Sequence, residues 1–291
     1  MFKGSFVALI TPFKNGAVDE DALRKLVDWQ IAEGTHGIVP VGTTGESPTV
    51  SHEEHKRVVE ITVEQVNGRV PVLAGAGSNN TAEAVDFTRH AEQAGADGTL
   101  HVAGYYNRPN QEGLYQHFKA VSDVADKPVI VYNIPPRAIV DILPETMARI
   151  AALPHVSGVK DATGDLARIC KERMLIKDGF TWLSGEDPTA LAYNVSGGNG
   201  CISVTANVAP RLCAEFQETC LGGDYAKALE LHERLMPLHT ALFLEPSPAG
   251  AKFGASLLGH CEEEARLPVV PLTEPSREAI RVAMRGAGLI N

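Results

Sequence analysis

The segment Val156-Ser157-Gly158-Val159-Lys160 is a short apolar run that ends in a lysine. It is one of eight β-rich runs, and residues at helical spacing follow each of them. The eight predicted strands are Ser5–Ile10, Gly37–Val41, Val70–Ala74, Gly98–Val102, Val129–Asn133, Val156–Lys160, Phe180–Ser184 and Gly200–Val204. Eight strand–helix units in about 220 residues indicate a (β/α)8 TIM barrel, which is an α/β fold. A doubly wound sheet is the alternative, but it rarely contains so many repeats of even length.

Local signals predict helices between these strands. Apolar residues within Leu23–Ile31 have helical spacing, with Asp19 as the expected N-cap and Gly34 as the end of the helix. Ser51-His52-Glu53-Glu54 matches a capping box, and Pro144 suits the first turn of a later helix.

The last part of the chain lacks strand signals. Tyr225–Leu244 and Arg277–Arg285 have apolar residues at helical spacing, on either side of a proline-rich connection. We therefore predict a barrel in residues 1–223 and a C-terminal helical extension, packed on the barrel, in residues 224–291.

Composition and charge argue against several classes of protein. The net charge of −10 disfavours a nucleic-acid or anionic-membrane partner, and 44% hydrophobic residues supply a large core. The five cysteines include no CxxC pair, which favours reduced thiols. We find no run of about 18 apolar residues and no signal-like N-terminus, so we expect a cytoplasmic protein.

In such barrels the catalytic residues lie at the C-terminal ends of the strands. Here those ends bring together an amine, phenols, threonine hydroxyls and a guanidinium. The segments are Gly42-Thr43-Thr44-Gly45-Glu46, Tyr105-Tyr106-Asn107, Tyr132-Asn133 with Arg137, Lys160, Gly185-Glu186-Asp187 and Ile202-Ser203.

Lys160 is the strongest catalytic candidate, because burying an ammonium group without a partner is costly. Such a site favours the neutral amine, which condenses with a carbonyl to form a Schiff base. Tyr132 ends the preceding strand, so we expect its phenol to meet Lys160 and to move protons. The alternative is a surface lysine just beyond a strand.

Thr43, Thr44 and Arg137 are candidates for binding carboxylates, through hydroxyl and N–H donors and a bidentate guanidinium. The alternatives are an ordinary turn and a surface arginine. We predict no metal site, because His52 and His55 lack a third ligand at suitable spacing. We predict no dinucleotide site either, because the segment at residues 75–80 lacks the third glycine.

Four motifs, taken in order, closely resemble those of the dihydrodipicolinate synthase family. This family consists of pyruvate-dependent class I lyases of the N-acetylneuraminate lyase superfamily. The motifs are Gly42–Glu46, Tyr105–Pro109, Tyr132–Arg137 and Gly158–Gly164, and the resemblance extends from Gly4 to the C-terminal Gly-Leu-Ile. Ala103-Gly104 and Ala138 differ from the residues that are usual in the family, Thr-Pro and Thr.

The resemblance implies a reaction and a role for each site residue. Lys160 forms the Schiff base with pyruvate, and Tyr132 exchanges protons in a relay through Thr43 to Tyr106 of a neighbouring subunit. The resulting enamine attacks L-aspartate 4-semialdehyde to give 4-hydroxy-tetrahydrodipicolinate, for lysine and diaminopimelate synthesis. The implied substrate-binding residues are Thr44, Ile202, Arg137 and Gly185. No metal or organic cofactor is implied, and the assembly is a homotetramer built from tight dimers.

The family also has a feedback site for L-lysine at the dimer interface. Its residue pattern is present here as Ser47, Pro48, His52, His55, Asn79, Glu83 and Tyr105. The resemblance therefore implies inhibition by L-lysine. The alternative is a polar interface rim without a regulatory role.

Two other functions stay open at this point. The first is a sibling Schiff-base lyase or dehydratase that acts on a sugar acid, since fold and Schiff base alone do not settle the reaction. Two features favour the synthase: siblings usually have Ser-Thr in place of Thr43-Thr44, and they tend to lack Arg137. The second is a non-catalytic barrel that binds a keto acid or lysine.

Overall fold

Eight parallel strands form a nearly closed barrel in the computed structural model, which describes residues 2–176 and 178–291. The barrel strands are β1 (Gly4–Ala8), β4 (Gly37–Val39), β5 (Leu73–Gly75), β6 (Gly98–Val102), β7 (Val129–Asn133), β8 (Val156–Asp161), β9 (Thr181–Ser184) and β10 (Gly200–Ser203). Two further strands, β2 (Phe13–Lys14) and β3 (Ala17–Val18), form a separate hairpin. The TIM-barrel prediction is therefore confirmed, and each predicted strand overlaps an observed one.

The strands pair in the order β4-β1-β10-β9-β8-β7-β6-β5. Between β4 and β5 the ring is joined by a bridge from Ile38 to Val72 instead of a ladder. Strand β5 begins later than predicted, because Pro71 has no N–H to donate to a ladder.

The helices lie between the strands and after them. They are α1 (Glu20–Ala32), α2 (His52–Val66), α3 (Thr81–Ala94), α4 (Gln111–Ser122), α5 (Pro135–Ala138), α6 (Pro144–Ala151), α7 (Arg168–Leu175), α8 (Ala190–Val195), α9 (Pro210–Leu221), α10 (Tyr225–Ala241), α11 (Ala249–Leu257) and α12 (Glu274–Ala287). Short 3-10 turns cover Ser47–Thr49, Asp187–Thr189 and Thr205–Asn207. Within residues 2–176 and 178–291, no helix has both the length and the apolar character that a membrane span requires.

The predicted helix starts are confirmed by their hydrogen bonds. The Asp19 side chain accepts from the backbone N–H of Ala22 at 3.0 Å and caps α1. At the start of α2, the Ser51 hydroxyl accepts from Glu54 N, and the Glu54 carboxylate accepts from Ser51 N. Pro144 begins α6 as predicted. These caps depend on short-range contacts, which explains why the sequence could reveal them.

The barrel interior is filled with side chains, so the barrel is not a channel. Phe6, Leu73, Leu100, Ile130 and Leu183 are among its buried residues. Gly37 is required beside this layer, because a Cβ there would lie 2.0 Å from the ring of Phe6. In barrels of this kind the site lies above the packed interior, at the C-terminal ends of the strands.

The C-terminal helices contact the barrel at several elements. Helix α10 lies against α8 and α9, and α11 lies against the turn Thr205–Asn207. Helix α11 falls within the connection that the sequence marked only as proline-rich. The division into residues 1–223 and 224–291 stays a prediction.

Candidate active site

Lys160 and Tyr132 meet at the mouth of the barrel. They are partners in the parallel pairing of β7 with β8, so their side chains leave the sheet side by side. The Nζ atom of Lys160 lies 4.0 Å from the centre of the Tyr132 ring. Lys160 is only 6% exposed and forms no ion pair with any residue that the structure describes. This arrangement places a buried nitrogen next to a phenol, as the sequence predicted.

Gly185 leaves room for the lysine side chain. A Cβ at this position would lie 3.0 Å from Lys160 Cε and 2.9 Å from Ala162 Cβ. The backbone N–H of Gly185 donates to Asp161 O at 2.6 Å, so the glycine is held close to β8. A larger residue would therefore push against the Lys160 side chain.

A cavity of about 200 Å3 opens at this end of the barrel. Thr43, Tyr132 and Arg137 line it, and so do Ser47 and Tyr105. It is smaller than the roughly 300–1,000 Å3 of pockets for drug-sized ligands, so it suits a small acid. The cavity thus joins residues that the sequence assigned to two different sites.

The loop after β4 is tightly held. Thr43 is half-buried at the cavity, whereas Thr44 is buried at 4% exposure. Gly45 approaches the backbone of Val41 so closely that a Cβ would lie 2.9 Å from Val41 Cα. The Thr11 hydroxyl donates to Gly45 O at 2.6 Å. The two threonines are thus presented by a loop whose backbone is fixed on both sides.

Glu46, at the end of this loop, forms a buried ion pair that the sequence did not reveal. Its Oε1 lies 2.5 Å from Nζ of Lys252 in α11, and its Oε2 accepts from Arg266 N at 2.9 Å. Lys252 also donates to Glu264 O at 2.6 Å. No spacing in the sequence pairs Glu46 with Lys252, because the contact is made only when the C-terminal helices lie on the barrel.

Arg137 belongs to the four-residue helix α5, which follows β7. It is exposed, lines the cavity and forms no ion pair within the described part of the chain. The Asn133 side chain fixes the residues that follow α5, because its amide donates to Asp141 Oδ1 at 2.8 Å. Arg168 also binds Asp141, at 2.5 Å. The guanidinium of Arg137 is therefore available to a ligand.

Tyr106 is not brought to the cavity. It is 89% exposed and has a left-handed φ of 66°. Beside it, Ala103 N donates to Tyr132 O at 3.0 Å, and Gly104 lets Pro109 approach closely. Ala103 and Gly104, which differ from the residues usual in the family, thus make close contacts at the base of this loop.

The residues predicted to bind lysine form a cluster beside the cavity. Nε2 of His52 lies 2.5 Å from Glu83 Oε1, and the Ser78 hydroxyl donates to the same carboxylate. His55 is stacked on Phe87, and burial lowers its pKa to about 4, so it is neutral at pH 7. Ser47, Pro48 and Tyr105 line the cavity, whereas His52, His55, Asn79 and Glu83 are outside its lining.

The remaining predicted residues lie deeper or outside the cavity lining. Ile202 is buried in β10, in the same interior cluster as Tyr132. Thr44 and Lys160 are buried and are not part of the cavity lining. Across residues 2–176 and 178–291, no group of three or more His, Cys, Asp or Glu side chains could hold a metal ion.

Comparison with known proteins places the chain in one family. Residues 1–287 match the Dihydrodipicolinate synthetase family. The 4-hydroxy-tetrahydrodipicolinate synthase of Parvibaculum lavamentivorans is 62% identical over 291 residues, which is 100% of both chains.

Solved structures give the same result. The dihydrodipicolinate synthase of Acinetobacter baumannii, in complex with pyruvate, matches with a TM-score of 0.97, 42% identity and 100% of both chains covered. The enzyme of Cyanidioschyzon merolae with lysine bound matches with a TM-score of 0.96, 34% identity and 99% of each chain covered. This chain therefore belongs to the dihydrodipicolinate synthetase family.

Proposed function

We propose that this chain condenses pyruvate with L-aspartate 4-semialdehyde to give 4-hydroxy-tetrahydrodipicolinate, a step in lysine and diaminopimelate synthesis. Its full-length relatives are named for this activity. The observation that carries the proposal is the buried nitrogen of Lys160, 4.0 Å from the ring of Tyr132, which lines the same cavity as Arg137.

The first half of the reaction uses Lys160 and Tyr132. The neutral amine attacks the keto carbon of pyruvate, and loss of water leaves an imine. Thr44 and the backbone at Ile202 hold the pyruvate carboxylate. Tyr132 gives and takes the protons that these steps require, with Thr43 as the next member of the relay. Loss of a methyl proton from the imine then gives an enamine.

The second half requires the aldehyde to be oriented. Arg137 binds the carboxylate of aspartate 4-semialdehyde, and the enamine carbon attacks the aldehyde carbon before the ring closes. The covalent imine accepts the electron pair that a metal or organic cofactor would otherwise stabilise, so the reaction requires neither.

A second copy of the chain completes the relay in this proposal. Tyr106 is exposed and lies outside its own cavity, so it is free to reach the Thr43 of a neighbour. We propose a tight dimer as the smallest competent unit, a tetramer as the full assembly, and the cytoplasm as its location.

L-lysine is the proposed inhibitor. Glu83 offers a carboxylate for the ligand's ammonium group, and Asn79 and Tyr105 offer hydrogen bonds. Because Ser47 and Tyr105 also line the cavity of Tyr132, a ligand at this cluster would touch the wall of the active site. Isothermal titration of active enzyme with L-lysine tests this part, and an absence of binding would rule it out.

Reductive trapping tests the main proposal. Incubation with pyruvate and sodium borohydride should leave an irreversible adduct, which peptide mapping should place on Lys160. Turnover assays with aspartate 4-semialdehyde and with a panel of sugar-derived aldehydes then identify the second substrate. Turnover of a sugar-acid substrate alone would indicate a sibling lyase. Lysine binding without any pyruvate adduct would indicate a non-catalytic barrel.

A further inference from the structure

The short segment at residues 135–141, which carries Arg137, keeps its conformation through contacts with other parts of the protein. Helix α5 has only four residues, and a helix of this length is not stable by itself. It ends at Ile139, a β-branched residue with a left-handed φ of 67°. Such a residue keeps this conformation only where its surroundings enforce it. The position of Arg137 therefore depends on the contacts that fix the segment.

Asp141 is the centre of those contacts. Its Oδ1 accepts from the Asn133 amide at 2.8 Å, and its Oδ2 lies 2.5 Å from Arg168 Nη2. Arg168 Nη1 donates to the next carbonyl, Ile142 O, at 2.8 Å. The Gln111 amide donates to Asp141 O at 2.8 Å. Side chains from β7, α7 and α4 thus converge on the end of the segment.

Arg168 is the buried member of this set. It is 7% exposed, and it opens α7, the helix after the strand that ends with Lys160 and Asp161. Its guanidinium therefore connects α7, the helix that follows the strand of Lys160, with the segment of Arg137. A planar guanidinium with two neighbouring acceptors fixes both position and orientation.

Glu172 is a second carboxyl group close to Arg168, with Oε1 at 3.5 Å from Nη1, and the buried Asp161 also interacts with this guanidinium. It is fully buried, and burial raises its pKa to about 8. Near pH 7 it is therefore mainly neutral, which leaves Asp141 as the closest anionic partner of Arg168.

We propose that the Arg168–Asp141 pair is a positioning element that sets Arg137 for the carboxylate of the second substrate. This inference rests on the proposed function, in which Arg137 binds the aldehyde. Neither Arg168 nor Asp141 touches a substrate, and both act through Arg137. The pair therefore contributes to selection of the second substrate and not to capture of the first.

The test compares Asp141→Asn and Arg168→Met with Glu172→Gln, a control in the same buried cluster. Asp141→Asn should raise KM for aspartate 4-semialdehyde about tenfold, which equals about 1.4 kcal/mol. KM for pyruvate and the rate of borohydride trapping should stay within about twofold. Arg168→Lys should restore part of the loss. Glu172→Gln at pH 7 should leave both KM values unchanged.

A double-mutant cycle separates positioning from general destabilisation. In an Arg137→Ala background, Asp141→Asn should add little to KM for the aldehyde, because the group that it positions is already absent. Additive effects, or equal changes in both KM values, would overturn the inference. If Arg168→Met does not fold, Asp141→Asn still decides the question.

The controls also separate this inference from the proposed function. Wild-type protein that traps no pyruvate would contradict the proposed function, and the inference would fall with it. Wild-type protein that turns over both substrates, together with an unchanged aldehyde KM in Asp141→Asn, would contradict the inference alone.

Discussion

Lys160 and Lys252 are both buried lysines, and each has its Nζ atom 4.0 Å from the centre of an aromatic ring. They differ in their other neighbours. Lys252 has a carboxylate at 2.5 Å, from Glu46, and a carbonyl acceptor at 2.6 Å. Lys160 forms no ion pair among the residues that the structure describes.

The difference separates a lysine held in an ion pair from the lysine that we propose to be reactive. Burial lowers the pKa of Lys252, but Glu46 opposes that effect and favours the charged form. An ammonium held in this way has no lone pair to offer. The nitrogen of Lys160 has a phenol beside it instead of a carboxylate, and in the proposed mechanism it forms the covalent bond to pyruvate.

Replacing Lys160 gives the largest expected effect. Lys160→Ala should abolish pyruvate trapping and lower turnover more than about a thousandfold, because it removes the amine that forms the imine in the proposed mechanism. Trapping followed by mass spectrometry and steady-state assays measure these changes. Lys252→Met is the matched control, since it removes the other buried lysine and should keep the adduct. An adduct of equal yield in Lys160→Ala would contradict the assignment.

Replacing Lys252 should instead affect stability. Lys252→Met leaves the carboxylate of Glu46 buried without its cation, so the free energy of unfolding should fall by about 3–5 kcal/mol. Urea denaturation measures the loss. The double variant Glu46→Gln with Lys252→Met should lose less than the single one, because it leaves no uncompensated charge. A larger loss in the double variant would show that the pair is not the source of the effect.

Glu172 extends the comparison to a buried acid. The cation near it, Arg168, is also paired with Asp141. The pKa of Glu172 is raised to about 8, whereas an unfolded chain has the ordinary value of 4.5. Between pH 4.5 and about pH 8, the Glu172 carboxyl group is protonated in the native state and ionised in the unfolded state. This contribution to stability is therefore present at low pH and is lost as pH rises towards 8. Glu172→Gln should remove the decline and gain at least about 1.4 kcal/mol at pH 8, the scale of one pKa unit. Thermal unfolding from pH 5 to pH 8 checks the slope, and parallel curves for both proteins would count against it.

Gly185 gives the smallest expected change. Gly185→Ala places a methyl group 3.0 Å from Lys160 Cε, so it should cost about 1 kcal/mol and slow trapping by roughly tenfold. Gly286→Ala is the control, because a Cβ there meets nothing within 4 Å. Trapping at the wild-type rate in Gly185→Ala would show that the lysine does not require this space.

The sequence predicted the parts of the fold that depend on short-range patterns. Each barrel strand is a short apolar run, and Asp19 and Ser51 cap their helices through contacts with residues three positions ahead. The hairpin of β2 and β3 was missed because its strands have two residues each. Its turn, Asn15-Gly16, has two left-handed residues and is a typical hairpin signal that could have revealed it.

For the site, the sequence predicted which residues carry chemistry but not what supports them. Lys160 and Tyr132 end consecutive strands, so the barrel pattern alone places them side by side. Glu46 and Lys252 come together only through the packing of α11, and Arg168 meets Asp141 although α6 and β8 separate them in the chain. Contacts of this kind depend on the three-dimensional arrangement, so no pattern of residue spacing in the sequence indicates them.

The bridge between Ile38 and Val72 has a consequence for how the native protein opens. Every other pair of neighbouring barrel strands shares a ladder, so the ring is held least firmly between β4 and β5. Sub-global opening starts where the fewest hydrogen bonds must break. Amide protons along this seam should exchange with deuterium earlier than those of β7 and β8. The strands of Tyr132 and Lys160 would then stay paired while this seam opens.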